Sequence, residues 1–163
     1  MKHQLSLIIL LFYVSFAAHG ATKADNADHS EHQIVVFVNK DSDLQSLTKK
    51  QVTGFFLGRN RFSSKVKRVL TFDFPADLQV RTEFYEALTG KSISVIDAYL
   101  ARLKYSGNVT LPIIKKDCDS LLEAVKSNEH AIAYGPISWF NTVEQGKFRI
   151  IYTLDVLHSE NNK

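Results

Sequence analysis

"LTKKQVTGFFLGRN", Leu47–Asn60, states the fold class more plainly than any other stretch of the chain. Thr48 suits a helix N-cap, and Gln51 lies three places on, where its amide reaches back to close a capping box. Leu47 before the cap and Val52 inside the helix are spaced as a hydrophobic staple. Val52, Phe55 and Phe56 then recur at i, i+3 and i+4, so one face is apolar. Gly58 supplies the left-handed residue that ends a helix at low cost. A short helix with its heaviest apolar side chains in the last turn is expected to drive a plug into a core. Lys49 and Lys50 do not fit, because positive charge at a helix N-terminus opposes the dipole.

Outward from this helix, apolar periodicity alternates between strand and helix. Gln33–Val38, "QIVVFV", is β-branched, nearly continuous and too short for a core helix, so it reads as a strand buried on both faces. A polar loop, Asn39–Ser46, joins it to the helix. Lys67–Phe74, "KRVLTFDF", reads as a second strand ended by Pro75. Asp77 is expected to cap the next helix, whose stripe is Val80, Phe84, Ala87 and Leu88 and whose stop is Gly90. Ser92 or Ser94 opens a third helix with Ile93, Ile96, Leu100 and Leu103 on its face, ended by Ser106-Gly107. Leu111–Ile114 is a short apolar segment. Asp117 or Asp119 begins a fourth helix carrying Leu121, Leu122 and Val125. Ala131–Tyr134 is a strand halted by Gly135-Pro136, and Pro136 suits the first turn of a short helix with Trp139 and Phe140. Phe148–Leu154, "FRIIYTL", is the last strand. The expected class is α/β, with helices layered around a mixed sheet.

The ends and the composition set the context. Met1–His3 is a short basic start, Leu5–Ala18 is almost wholly apolar, and Ala18-His19-Gly20 offers a cleavage site. Residues 1–20 therefore read as a secretory signal peptide, since the apolar run falls short of the roughly 20 residues that span a bilayer. Residues 21–32, "ATKADNADHSEH", read as a flexible leader. His29 and His32 stand there beside Asp25, Asp28 and Glu31, but a leader fixes no geometry, and no metal or other cofactor is assigned. One domain is expected over 33–157, then a polar tail, 158–163. The chain of 163 residues has a formal charge of +3, and removing the signal takes Lys2 and no acid. So small a surplus argues against nucleic acid as a partner. Cys118 is the single cysteine, so no internal disulfide forms and the core must hold the domain, which suits a periplasmic protein.

Five short elements carry a resemblance. Phe55-Phe56-Leu57-Gly58-Arg59 resembles the "IFLGK" element of the periplasmic phosphate-binding proteins that feed ABC transporters. Arg81-Thr82-Glu83-Phe84 resembles their "R..F" helix, Leu88-Thr89-Gly90-Lys91-Ser92 their "LxGKS" turn, Tyr105-Ser106-Gly107 their "FSG", and Ala131-Ile132-Ala133-Tyr134 their "AIGY". The matches come in order and span Ile34 to about Trp139. The resemblance implies one lobe of a type II periplasmic solute-binding protein. It also implies a small inorganic oxyanion such as phosphate as ligand, and a membrane transporter or sensor as partner. Three departures stand out. The Ser-Gly-Thr-like anion cradle is replaced by Pro75-Ala76-Asp77-Leu78-Gln79, the tryptophan of the third helix by Leu100, and the glycine of "AIGY" by Ala133.

The candidate ligand contacts follow from residue chemistry and from that match. Arg81, in the first turns of its helix, supplies charge where the dipole also favours an anion; the alternative is a solvent-facing arginine paired with Glu83 or another nearby acid. Asp77 either caps the helix or accepts the proton of a monohydrogen oxyanion. Thr82 adjoins Arg81 in the matched element. Asn39 and Ser42 follow the first strand, either as an ordinary turn or as ligand contacts, since open α/β sheets take ligands beyond the carboxyl ends of strands. Tyr134 reads as core with a satisfied hydroxyl. Arg59, Arg61, Lys65, Lys67 and Arg68 form a solvated face or a contact for an acidic partner or lipid headgroups. Cys118, between Asp117 and Asp119, is expected to be a dulled nucleophile. No Gly-x-Ser-x-Gly, HExxH or cysteine-pair spacing suggests an enzyme. Two readings remain: an exported, non-catalytic oxyanion binder serving uptake or sensing, or a ligand-free lobe that docks on a transporter or sensor.

Overall fold

The structure, a computed structural model, describes residues 33–60, 68–106, 109–142 and 146–156. The signal, the leader, the tail and the segment with Arg61, Lys65 and Lys67 lie outside the described residues. Among the described residues five strands and five helices follow one another, alternating except that α2 and α3 are consecutive: β1 (Gln33–Asn39), α1 (Lys49–Phe56), β2 (Leu70–Asp73), α2 (Gln79–Thr89), α3 (Ile93–Ser106), β3 (Ile113–Ile114), α4 (Cys118–Lys126), β4 (Ala131–Pro136), α5 (Ser138–Thr142) and β5 (Phe148–Asp155). The class expected from periodicity is the one observed. The second strand is shorter than expected, starting at Leu70, and only Ile113 and Ile114 of the Leu111–Ile114 segment join the sheet.

The sheet is mixed, in the order β3-β2-β4-β1-β5. β2 runs parallel to β3 and β4, whereas β1 is antiparallel to both of its neighbours, β4 and β5. β1 is thus the one reversed strand, and its C-terminal end emerges where the other four begin. Six of its seven residues are buried, as a continuous apolar run requires of a strand covered on both faces. β4 lies at the centre of the sheet, between β2 and β1, and its first five residues are buried.

Helix α1 forms as its sequence dictates. Thr48 caps it, with the Gln51 side chain accepting from the Thr48 amide in return. Gly58 turns the chain out with φ +68°, a conformation that costs glycine nothing and other residues a clash. Phe55 and Phe56 are buried, and Phe56 sits edge-on to Phe84 and Tyr134 at ring-centroid distances of 4.8 and 5.4 Å. The placement of Lys49 has an explanation that lies outside α1. Its ammonium donates to the carbonyl of Ala87, 3.0 Å away, in the last turn of α2. It opposes one dipole weakly from an exposed position and favours the end of another.

The second helix differs from expectation at its start. Asp77 does not cap α2. Leu78 holds the N-cap position with no side-chain bond to the helix, and Asp77 is exposed in the preceding turn. The left-handed Gly90 does end the helix, at φ +68°. Phe84 and Leu88 are buried as the stripe predicts, but so are Arg81 and Tyr85. For α4 the two candidate caps resolve to Asp117, which closes a capping box with Ser120.

Candidate functional site

The C-terminal ends of β2 and β4 and the first turns of α2 bring four polar side chains together in the core. Asp73 ends β2 and is 1% exposed. One carboxylate oxygen accepts from the Phe74 amide at 2.8 Å and from the Tyr134 hydroxyl. The other accepts from the Tyr85 hydroxyl at 2.8 Å and lies 3.5 Å from Arg81 Nε. Arg81 Nη2 donates to Asp97 Oδ1 of α3 at 2.6 Å. Around this pair stand aromatic rings: Tyr134 stacks on Phe84 at 3.6 Å with near-parallel planes, and the Arg81 guanidinium lies over the Tyr85 ring.

Each element places its part for a local reason. Asp73 and Tyr134 point to the same side of adjacent strands. Arg81 and Tyr85 are one helical turn apart on α2, at i and i+4, so both reach the same spot. Arg81 is therefore not solvent-facing, and the acids it pairs with are Asp73 and Asp97 rather than Glu83. It is 5% exposed, and its partners come from β2 and α3. Two of its nitrogens, Nε and Nη1, are buried without a hydrogen-bond partner, although Nε faces the Asp73 carboxylate as an ion pair.

Burial pushes the Asp73 carboxyl above its ordinary value, against the opposing pull of the Tyr134 hydroxyl, the Arg81 charge and the Tyr85 hydroxyl. Burial works against the Arg81 charge, but Asp97 and Asp73 outweigh it and hold the guanidinium more firmly protonated. Burial, with the adjacent Asp73 charge, pushes the Tyr85 and Tyr134 phenols well up, so both remain donors. Burial, with Asp119 and Asp117 beside it, pushes the Cys118 thiol up to about 11, so it carries little thiolate at neutral pH.

The sequence candidates fall into two groups. Arg81, Thr82 and Asp77 sit together at the head of α2, with Arg81 inside the core, Thr82 half-buried and Asp77 exposed. Asn39 ends reversed β1 and Ser42 follows it, so both lie at the opposite end of the strands. Both are buried parts of a turn there. Asn39 Nδ2 donates to the Lys126 carbonyl at 2.6 Å, and its Oδ1 accepts from the Asp41 amide at 2.9 Å. Ser42 Oγ accepts from the Leu44 amide at 3.3 Å. Asp73 and Tyr85 were missed from sequence, because an acid in a strand and a tyrosine between stripe positions give no local signal. Tyr134 is core with its hydroxyl satisfied, as expected.

The fold has counterparts among solved structures. The chain shares its fold with phosphate-transport receptors. It matches an ABC-type phosphate transport receptor from Vibrio cholerae with a TM-score of 0.55 at 14% identity, over 75% of this chain and 47% of that one. It matches PstS from Borrelia burgdorferi with a TM-score of 0.56 at 7% identity, over 81% and 54%. It matches a possible phosphate binding protein from Planctomyces limnophilus with a TM-score of 0.55 at 12% identity, over 75% and 42%. The chain thus spans about half the length of these structures, as one lobe would. No family model and no curated protein sequence matches it.

Proposed function

We propose that the chain is an exported, non-catalytic binding protein of the phosphate-receptor kind, taking a small oxyanion such as phosphate in the periplasm for uptake or sensing. The observation that carries the reading is Arg81. Its guanidinium stands at the head of α2, where no side chain caps the first turn, and Nε and Nη1 have no hydrogen-bond partner. Unspent cationic donors next to an uncapped helix N-terminus are the chemistry an oxyanion needs. Thr82 and Asp77 are the neighbouring contacts, and Asp77 favours a protonated oxyanion over a fully ionised one.

Titration calorimetry of residues 21–163 with phosphate, sulfate and acetate tests this. One-to-one heat with phosphate is expected. Because Asp97 competes for the guanidinium from a half-exposed position, Asp97→Asn is expected to tighten binding, and Arg81→Lys to weaken it. Silence toward every anion from folded protein, with Asp97→Asn equally silent, refutes oxyanion binding.

One observation favours a second reading. The Arg81 charge is already opposed by two carboxylates, Asp73 and Asp97, so an anion would meet a cluster that is not net positive. On that reading the lobe has no ligand and docks on a transporter or sensor. Recovery of one membrane protein by crosslinking in cells, together with calorimetric silence, is the result that selects it.

A further inference from the structure

A groove that shares no residue with the Arg81 cluster lies between the ends of α1 and α2 and one side of α3, with a volume of about 560 Å³. That falls in the range of small-molecule sites. Its floor is apolar: Leu57, Leu88 and Ile96 are nearly fully buried, and Val95, half exposed, opens onto it. Its rim is cationic: Arg59, Lys91 and Arg102 line it, and no carboxylate does. Among the described residues, none of the ion pairs involves any of these three.

The rim is organised rather than scattered. Val95, Tyr99 and Arg102 recur at i, i+4 and i+7 on α3, a second stripe beside the one that faces the core. Tyr99 gathers two of the charges. Arg59 Nε donates to its hydroxyl at 3.2 Å, and the Arg59 and Arg102 guanidinium carbons lie 5.4 and 5.8 Å from its ring centroid. Aromatic faces hold cations by their quadrupole, so the two guanidinium groups are kept at the mouth without being neutralised. Apolar floor and unneutralised cationic mouth together select a molecule with both characters.

We infer that this groove binds a single-chain amphiphile with an anionic head, the chain on Leu57, Leu88, Val95 and Ile96 and the head between Arg59, Arg102 and Lys91. The inference does not depend on the oxyanion reading, because it uses none of the same residues.

The test is calorimetry of residues 21–163 with dodecanoate below its micellar concentration. Inorganic phosphate, dodecyltrimethylammonium and phosphatidylglycerol vesicles serve as separate arms. One-to-one dodecanoate binding is expected, with none for the cationic chain. Replacing both arginines (Arg59→Gln with Arg102→Gln) is expected to weaken it about tenfold or more, as loss of charge-assisted hydrogen bonds does. Val95→Asp should weaken it as well. All three positions are exposed, and circular dichroism confirms that each variant folds. Arg81→Lys should leave dodecanoate binding intact, which separates this site from the oxyanion reading. Equal binding of the cationic chain, indifference to the arginine pair, or displacement by inorganic phosphate alone would overturn the inference. So would binding to vesicles without binding to monomeric dodecanoate, since that describes a membrane surface rather than a groove.

Discussion

At the scale of single residues, the Asp73–Arg81 pair sets the character of the core. Removing one member of a buried pair strands the other's charge, and such losses run to about 3–5 kcal/mol. Arg81→Met is accordingly expected to lower stability by roughly that order in urea unfolding, and Asp73→Asn added to it should recover part of the loss. The pH dependence has a definite sign. The folded carboxyl of Asp73 already titrates above its ordinary value, and losing the Arg81 charge raises it further. Its stabilising proton is fully bound below the unfolded value and is lost as pH rises through the folded one. The deficit of Arg81→Met should therefore shrink between neutral pH and about pH 4. A deficit that grew in acid would contradict a buried, stranded carboxylate. The two phenols give an alkaline counterpart. Tyr85 and Tyr134 are raised above the ordinary 10.0, so the stability they confer is present below that value and lost as pH climbs through their folded values. Of the six tyrosines, these two should show phenolate absorbance only as circular dichroism is lost.

At the scale of elements, legibility followed locality. The Thr48–Gln51 box, the Gly58 and Gly90 stops and the Phe55-Phe56 plug are written within a few residues of each other, and all are present. Thr48→Ala should cost about 1 kcal/mol of unfolding free energy, as loss of an N-cap does; no measurable change would mean that packing alone holds α1. The head of α2 was misread because Asp77 has capping chemistry while chain geometry put Leu78 in the capping place. The Arg81 environment was out of reach for another reason. Its partners lie eight residues back on a strand and sixteen ahead on a different helix, and no periodicity ties them together. The second stripe on α3 was hidden by the first, since a helix read for its core-facing side leaves Val95, Tyr99 and Arg102 as ordinary surface.

At the scale of the whole molecule, the strands could be found but their directions could not. A continuous apolar run such as "QIVVFV" says that a strand is buried and is silent about which way it points. The reversal of β1 alone carries Asn39 and Ser42 to the far end of the strands from Arg81, so a candidate set that is consistent in sequence is divided in space. The α/β class needed only the alternation of elements, which survives such reversals, whereas the single lobe was implied by the five matched motifs.

The pairing of β1 also governs when the protein can fold. The first strand made finds its ladder partners only in the last third of the chain, at Ala131–Pro136 and Phe148–Asp155. Closing contacts across so long a span is entropically slow. A nascent chain stopped before β4 has no place to pair the apolar β1 and stays open to proteases. Limited proteolysis of a chain ending at residue 130 should therefore digest it throughout, whereas the full chain resists. A polypeptide that delays its own closure until β4 and β5 have emerged keeps a threadable form up to that point in its synthesis.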